Sequence, residues 1–259
     1  MDMAQIVLIG LFIYLGSIGS IVGNTIGWYA LGRPLVASFV VGCILGNVPA
    51  AMAVGIPLQI MYMGNVTPGG AVAWDLSYAT YIGTAGALVF GKGLATTELI
   101  GLAVVFAGIG GLVGQLMWNV SYALNLPLNR LANRYAEAGE TKKMFIPNLV
   151  LGQLIGFLCR FIPAVIVLTS MTAASAQADF ASLIPGWVTT ALGVFGGMMA
   201  ALGMGIILSF LLKKQFHMVI FLAGFILITY FKLNIMAVAI VAIITAVLYY
   251  VAASGKKAV

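Results

Sequence analysis

Charged residues are scarce in this chain. Only 7% of its 259 residues are charged, whereas 63% are hydrophobic. A soluble domain has about 25% charged and 45–50% apolar residues. So few charges cannot cover a water-facing surface of this size, which excludes a soluble globular protein, and the high apolar content excludes a disordered one. Long, almost continuous apolar runs also disfavour the alternating pattern of a β-barrel. The composition therefore predicts a polytopic α-helical membrane protein.

Histidine and cysteine are nearly absent as well. Cys43 and Cys159 both lie in apolar runs, which favours two thiols over a disulfide. The one histidine, His217, follows Lys213 and Lys214, where a flanking charge is a simpler interpretation than a phosphohistidine. The sequence contains no nucleotide-binding loop, metal-ligand cluster or Ser/His/Asp set. We therefore expect no catalytic residue, no metal site and no cofactor in this chain.

The apolar segments set the predicted architecture. A membrane-spanning helix needs about 20 apolar residues, and shorter or Pro-broken segments are typical of re-entrant hairpins in transporters. We predict an all-α, single-domain membrane protein over 1–259, with about nine transmembrane or re-entrant segments. Inverted repeats are compatible with the sequence, although none is visible by eye. The nine segments are roughly 4–23, 35–48, 51–66, 74–91, 97–119, 146–173, 187–211, 216–231 and 235–252.

The densest group of polar residues at membrane depth lies in the stretch 55–80. Gln59, Asn65, Thr67 and Asp75 offer the paired donors and acceptors that sugar hydroxyls require. A carboxylate at a helix centre costs about 2.5–3.5 kcal/mol, so Asp75 should have a partner or a ligand. Two alternatives stay open: Asp75 caps a helix at a water interface, and the two amides make hydrogen bonds between helices. These four residues are the candidate substrate-binding site.

Two further cations interrupt apolar segments. Arg160 lies deep in 146–173, so it either pairs with a buried acid or extends toward an interface. We favour an ion pair or a place lining the helix bundle over direct ligand contact. Lys232, between two short helices, either lines a cavity or ends a hairpin.

These residues fall in motifs that resemble a known family. Over nearly its full length the chain is similar to the IIC membrane subunit of the mannose/fructose/sorbose-type phosphotransferase sugar transporters. Matching segments include Gly32-Arg33-Pro34-Leu35, Arg160 with IPAVIV at 162–167, and IPGWVTTALGVFGGMM at 184–199. The central motif places small and polar residues at fixed spacing, namely Gly55, Leu58, Gln59, Gly64, Gly69 and Asp75.

The resemblance implies a function and partners. A IIC subunit works with a IID membrane subunit as an elevator-like transporter in the bacterial inner (plasma) membrane. Soluble IIA and IIB domains carry the phosphoryl group on histidines, and the sugar is phosphorylated as it is delivered to the cytoplasm. The subunit has no phosphorylated residue of its own, although it belongs to a phosphotransferase complex. We also expect a higher oligomer embedded in lipid and no nucleic-acid partner.

Some positions depart from the family's pattern. Several mannose-type members have Glu at Gln59 and Trp at Asn65, so the sequence leaves the sugar open among hexoses and hexose derivatives such as mannose, sorbose or N-acetylgalactosamine. Two other classes of function are weighed against this one. One is an ion-coupled secondary transporter with Asp75 as the coupling site, and the other is a vitamin-binding subunit of an ATP-driven importer.

The stretch 125–145 generates a prediction about topology. It carries Arg130, Arg134, Lys142 and Lys143, and basic residues concentrate in short cytoplasmic loops. We predict an amphipathic cytoplasmic helix here, serving as a connector or as a docking surface, with the N-terminus outside and the C-terminus inside. A cysteine introduced in this stretch should react with a membrane-impermeant maleimide only after cells are opened. Labelling of intact cells would contradict the topology.

Overall fold

In the computed structural model, residues 1–63, 74–177, 186–213 and 215–255 are described, and every regular element among them is helical. Within these described ranges, π-helical turns occur at Gly27–Leu31 and Ile146–Leu151. The helices that position the candidate site are α1 (Met3–Leu15), α2 (Gly23–Ile26), α3 (Pro34–Leu45), α4 (Val48–Tyr62), α5 (Leu76–Phe90), α6 (Thr96–Glu137) and α7 (Gly152–Gln177). They are followed by α8 (Gly186–Leu211), α9 (Gln215–Thr229) and α10 (Ile235–Gly255).

Helix α1 is shorter than the predicted segment 4–23, because it ends at Leu15. The hydroxyls of Ser17 and Ser20 donate to the carbonyls of Tyr14 and Leu15, at 2.6 and 2.7 Å. Side chains that bond to nearby carbonyls compete with the helical hydrogen-bond pattern. Gly19 then adopts φ +75°, which turns the chain out of the helical direction. The hydrophobic pattern of the sequence therefore did not predict that α1 ends at Leu15.

Helix α6 is longer than predicted. The segment 97–119 was expected to end before a separate helix in 125–145, but one helix of 42 residues runs through to Glu137. Its length is about 63 Å at 1.5 Å per residue, well beyond the ~30 Å hydrocarbon core of a bilayer. Helix formation does not require apolar residues, so the polar end of α6 continues the same helix, with Pro127 inside it. Residues 125–137 are helical as predicted, whereas the helix predicted over 125–145 ends at Glu137 and is continuous with the segment 97–119.

The chain bends sharply between α2 and α3. The segment Gly23–Leu31 and helix α3 meet at 76°. Pro34 begins α3 at a position where its missing N–H costs nothing. A Cβ on Gly32 would lie 2.3 Å from the carbonyl oxygen of Gly16, so only glycine allows this approach. The Arg33 guanidinium covers the rings of Trp28 and Tyr29, at 5.8 and 5.4 Å from their centroids.

Helix α5 is the centre of the first of two compact units, Met1–Gly205. Thirteen of its fifteen residues are buried, and α1, α3, α4, α6 and α7 all contact it. A helix that is apolar or small on every side suits such an environment. Its polar side chains bond to its neighbours: Ser77 donates to the Gly16 carbonyl at 2.6 Å, and the hydroxyls of Thr84 and Ser38 lie 2.8 Å apart.

The second unit, Ile206–Val259, contains α9 and α10, which pack against each other. Most of their large apolar side chains are exposed in this chain, including Phe216, Phe225, Ile240 and Leu248. Such surfaces suit lipid or another membrane helix rather than water.

By length and composition, three of the described helical stretches are able to cross a membrane, and a fourth is added if the bent pair counts as one span. The three are Thr96–Glu137, Ile146–Ser175 and Ile235–Ala252. Four shorter apolar helices accompany them. The count of nine transmembrane or re-entrant segments therefore stays a prediction. Both predicted thiols, Cys43 and Cys159, are free.

Two glycines of α6 generate a matched prediction about packing. A Cβ on Gly110 would lie 2.7 Å from the Tyr78 carbonyl oxygen, whereas one on Gly108 would meet no described atom within 4 Å. We expect Gly110→Ala to lower the free energy of unfolding by about 1–3 kcal/mol through overpacking. Gly108→Ala should be neutral or stabilising by up to ~1 kcal/mol. Thermal unfolding in detergent measures both, and equal midpoints would contradict the close α5–α6 packing.

Candidate functional site

The N-terminus of α5 positions Asp75. Its carboxylate oxygen Oδ1 accepts a hydrogen bond from the backbone N–H of Tyr78 at 3.1 Å, which caps the helix. The helix cap is the one that a sequence-based alternative proposed, and the residue is only 2% exposed, so protein atoms rather than water surround it. On α6, Gly114 makes room for it, because a Cβ there would lie 2.5 Å from the Asp75 Cβ.

The second carboxylate oxygen of Asp75 forms an ion pair with Arg160 of α7. The contact joins Oδ2 to Nη1, and both side chains are 3% exposed. The prediction that Arg160 pairs with a buried acid is therefore confirmed. A buried charge without a partner is strongly destabilising, so each of these two groups requires the other. The pair ties the start of α5 to the middle of α7 across 85 residues of sequence.

Aromatic rings enclose the Arg160 guanidinium. Its Cζ lies 4.9 Å from the centroid of the Trp118 ring and 5.8 Å from that of Tyr78. Cation–π contacts of this kind strengthen when they are shielded from water. The Tyr78 hydroxyl also donates to the main-chain carbonyl of Arg160, so α5 holds both the side chain and the backbone at this point of α7.

Three buried polar atoms in this unit have no hydrogen-bond partner among the described residues. They are Arg160 Nη2, Gln115 Oε1 and the Tyr62 hydroxyl oxygen. Most buried polar atoms in proteins are paired, so each such exception points to a bound water or ligand, or to a functional role. One of the three belongs to Arg160 itself, and another to Gln115, which follows Gly114, the glycine packed against Asp75.

Gln59 has a different environment from Asp75. Its Oε1 accepts a hydrogen bond from the backbone N–H of Leu35 at 3.3 Å, which connects α4 to the first turn of α3. This is the interhelical hydrogen bond of one sequence-based alternative. It also leaves the two amide N–H donors of Gln59 free of that contact, so a role in substrate binding stays a prediction.

The other predicted site residues are more dispersed. Asn65 and Thr67 lie outside the described residues. Lys232 is exposed in this chain and adopts φ +55° in the turn between α9 and α10. The Nδ1 atom of His217 lies 2.9 Å from the Leu211 carbonyl oxygen at the end of α8, in keeping with a role in flanking a helix end.

The structure adds two residues that sequence reasoning missed. Gln115 and Trp118 lie three positions apart on α6, so they share one side of the helix. The available signal was an amide inside an otherwise apolar run, the same signal that singled out Gln59. The contact of Trp118 with Arg160 was not predictable, because it depends on how α6 and α7 pack.

A set of apolar helices closed around a buried acid–arginine pair is typical of a helical membrane protein. The family model described as "PTS system sorbose-specific iic component" matches residues 3–248, and the chain belongs to this family of phosphotransferase-system (PTS) sugar permeases. It is accordingly an integral protein of the inner (plasma) membrane. The predicted resemblance is thereby confirmed.

A curated relative and two solved structures agree with this assignment. The mannose-specific EIIC component of the PTS from Escherichia coli K12 is 27% identical over 257 residues, covering 95% of this chain and 87% of the relative. A chain titled only as a membrane protein matches with a TM-score of 0.77 and 26% identity. A chain from the cryoEM structure of the mannose transporter ManYZ with microcin E492 matches with a TM-score of 0.54 and 26% identity. Both structural matches cover 96% of each chain.

The two ion pairs of the described residues generate a prediction about stability. Asp75→Asn leaves the Arg160 charge buried and unpaired, and we expect a loss of about 3–5 kcal/mol in the free energy of unfolding. Glu140→Gln is the matched control: it removes the acid of the exposed Lys143–Glu140 pair, and exposed pairs contribute at most ~1 kcal/mol.

The double variant Asp75→Asn/Arg160→Gln separates charge from other effects. It removes both buried charges, so we expect it to be more stable than Asp75→Asn alone. Thermal unfolding in detergent provides the comparison. A double variant that loses as much as the two single variants together would show that the pair is not coupled.

Proposed function

We propose that this chain is the sugar-translocating subunit of a phosphoenolpyruvate-dependent phosphotransferase system, with a hexose or hexose derivative as its substrate. Family membership supports sugar transport, and the relatives above are named for mannose and the family model for sorbose. The observation that supports a sugar-binding site at this place in the fold is the buried Asp75–Arg160 pair beside Trp118. Sugars are recognised by charged and amide groups that bond hydroxyls and by aromatic faces that pack on the ring.

The proposed substrate site combines this pair with the predicted polar residues. Asp75, Gln59, Asn65 and Thr67 are the proposed substrate-binding residues, and Arg160 contributes its guanidinium. A ligand that bonds a residue already held in an ion pair meets a preorganised group, so little ordering entropy is lost on binding. Asp75 is held in this way by both its Tyr78 N–H bond and its Arg160 contact.

The proposed partners follow from the family. A IID membrane subunit completes the translocation unit in an elevator-like transporter, and soluble IIA and IIB domains supply the phosphoryl group. The similarity to a chain from the structure of the mannose transporter ManYZ supports this assembly. This chain then binds and moves the sugar, while phosphoryl chemistry takes place on other subunits.

The competing proposal of ion coupling at Asp75 has less support. A coupling carboxylate must bind and release its cation during each cycle. Here both carboxylate oxygens of Asp75 have protein partners. One partner is the backbone N–H of Tyr78, and the other is the positively charged guanidinium of Arg160. An added cation would have to displace Arg160 or approach it closely, which like-charge repulsion opposes.

Transport by membrane vesicles distinguishes the two functions. Vesicles that contain this chain with its proposed partners are loaded with phosphoenolpyruvate and the soluble phosphocarriers and given labelled hexose. We expect sugar phosphate inside the vesicles, no accumulation when phosphoenolpyruvate is omitted, and full uptake after a protonophore collapses the ion gradient. Uptake of unmodified sugar that stops with the gradient would contradict the proposal and favour ion coupling.

A further inference from the structure

The starting observation is a pair of buried polar atoms of complementary type. Arg160 Nη2 carries N–H donors, Gln115 Oε1 is an acceptor, and neither has a partner among the described residues. Arg160 is 2% exposed, and its Nη1 is already used by Asp75. Leaving one buried donor or acceptor unpaired costs about 1–3 kcal/mol, and more where the group is charged. The fold therefore retains two costly unpaired atoms on two helices that contact each other, α6 and α7.

Helix α6 carries both Gln115 and Trp118, the residue that contacts Arg160. Gln115 directly follows Gly114, whose Cβ position would contact both Asp75 and Tyr78. It also precedes Trp118 by three residues, and side chains at this spacing are neighbours on a helix surface. The Trp118 ring in turn lies 4.9 Å from the Arg160 Cζ. Arg160 of α7 thus contacts Trp118, and Gln115 lies one turn before Trp118 on the same side of α6.

This combination matches the chemistry of a sugar hydroxyl. A hydroxyl accepts one hydrogen bond and donates another, so a single group satisfies an arginine N–H and an amide oxygen together. The aromatic ring beside them offers an apolar face to the carbons of the sugar. A phosphate or carboxylate suits the arginine but not Gln115 Oε1, because two acceptors repel each other.

We infer that Gln115 is a substrate-binding residue that, together with Arg160 Nη2, recognises one hydroxyl of the transported sugar, with Trp118 packing against the ring. The inference rests on the proposed function and deepens it by naming a specificity determinant on α6. Asp75 then has a second role, because its ion pair fixes the orientation in which the guanidinium presents Nη2.

Deoxy analogues test this inference in the complete transporter. Phosphoenolpyruvate-dependent uptake of the parent hexose is compared with that of analogues that each lack one hydroxyl. In the wild type, loss of the recognised hydroxyl should lower kcat/KM by about 10- to 100-fold, the range for a hydrogen bond to a charged site. Gln115→Met has a side chain of similar length but lacks the acceptor. It should lower kcat/KM for the parent sugar and remove most of the difference in kcat/KM between the parent sugar and the analogue that lacks the recognised hydroxyl. The ranking of the other analogues should not change.

Control variants separate recognition from folding. Asn119→Met removes an exposed amide from the next turn of α6 and should keep every wild-type value. Two results would overturn the inference: a Gln115→Met variant that lowers the uptake of every sugar by the same factor, or one that leaves the uptake of every sugar unchanged. Wild-type complex that shows no phosphoenolpyruvate-dependent uptake would instead overturn the proposed function.

Discussion

The ion pair between Asp75 and Arg160 is the interaction on which the central unit depends. It joins the N-terminus of α5 to the middle of α7 where neither charge has access to water. Because breaking a buried pair leaves an uncompensated charge, the two helices must keep this register. The cap on α5, the Tyr78 bond to the α7 backbone and the Trp118 contact all converge on the same point. One electrostatic requirement thus fixes both the packing and the candidate site.

Glycine supplies the space that this arrangement needs. In lipid, apolar burial does not drive helices together, so close backbone approach has to supply the attraction. Gly110 and Gly114 of α6 lie against Tyr78 and Asp75, and Gly83 of α5 lies against Ala107. The abundant glycine of the sequence therefore has a specific consequence: α6 approaches near enough to place Trp118 beside Arg160. The close packing and the buried charges support each other.

Sequence reasoning predicted much of this molecule, but not its long-range pairings. The low charge content predicted a membrane protein. The free-energy cost of placing a charged side chain within a membrane drew attention to Asp75 and Arg160. Their contact was not predictable, since 85 residues separate them and apolar runs do not say which helices touch. For the same reason Gln115 was missed. Hydropathy also misplaced the end of α1, because serine hydroxyls and Gly19 break a helix without changing the apolar average.

A structure of the assembled transporter with its sugar bound tests most directly whether the buried Asp75–Arg160 pair takes part in sugar recognition. We expect the Asp75–Arg160 contact to be intact, with one sugar hydroxyl within about 3 Å of both Arg160 Nη2 and Gln115 Oε1. The Trp118 ring should then lie against the sugar carbons. A sugar bound away from α6 and α7, with Arg160 and Asp75 separated, would contradict the account.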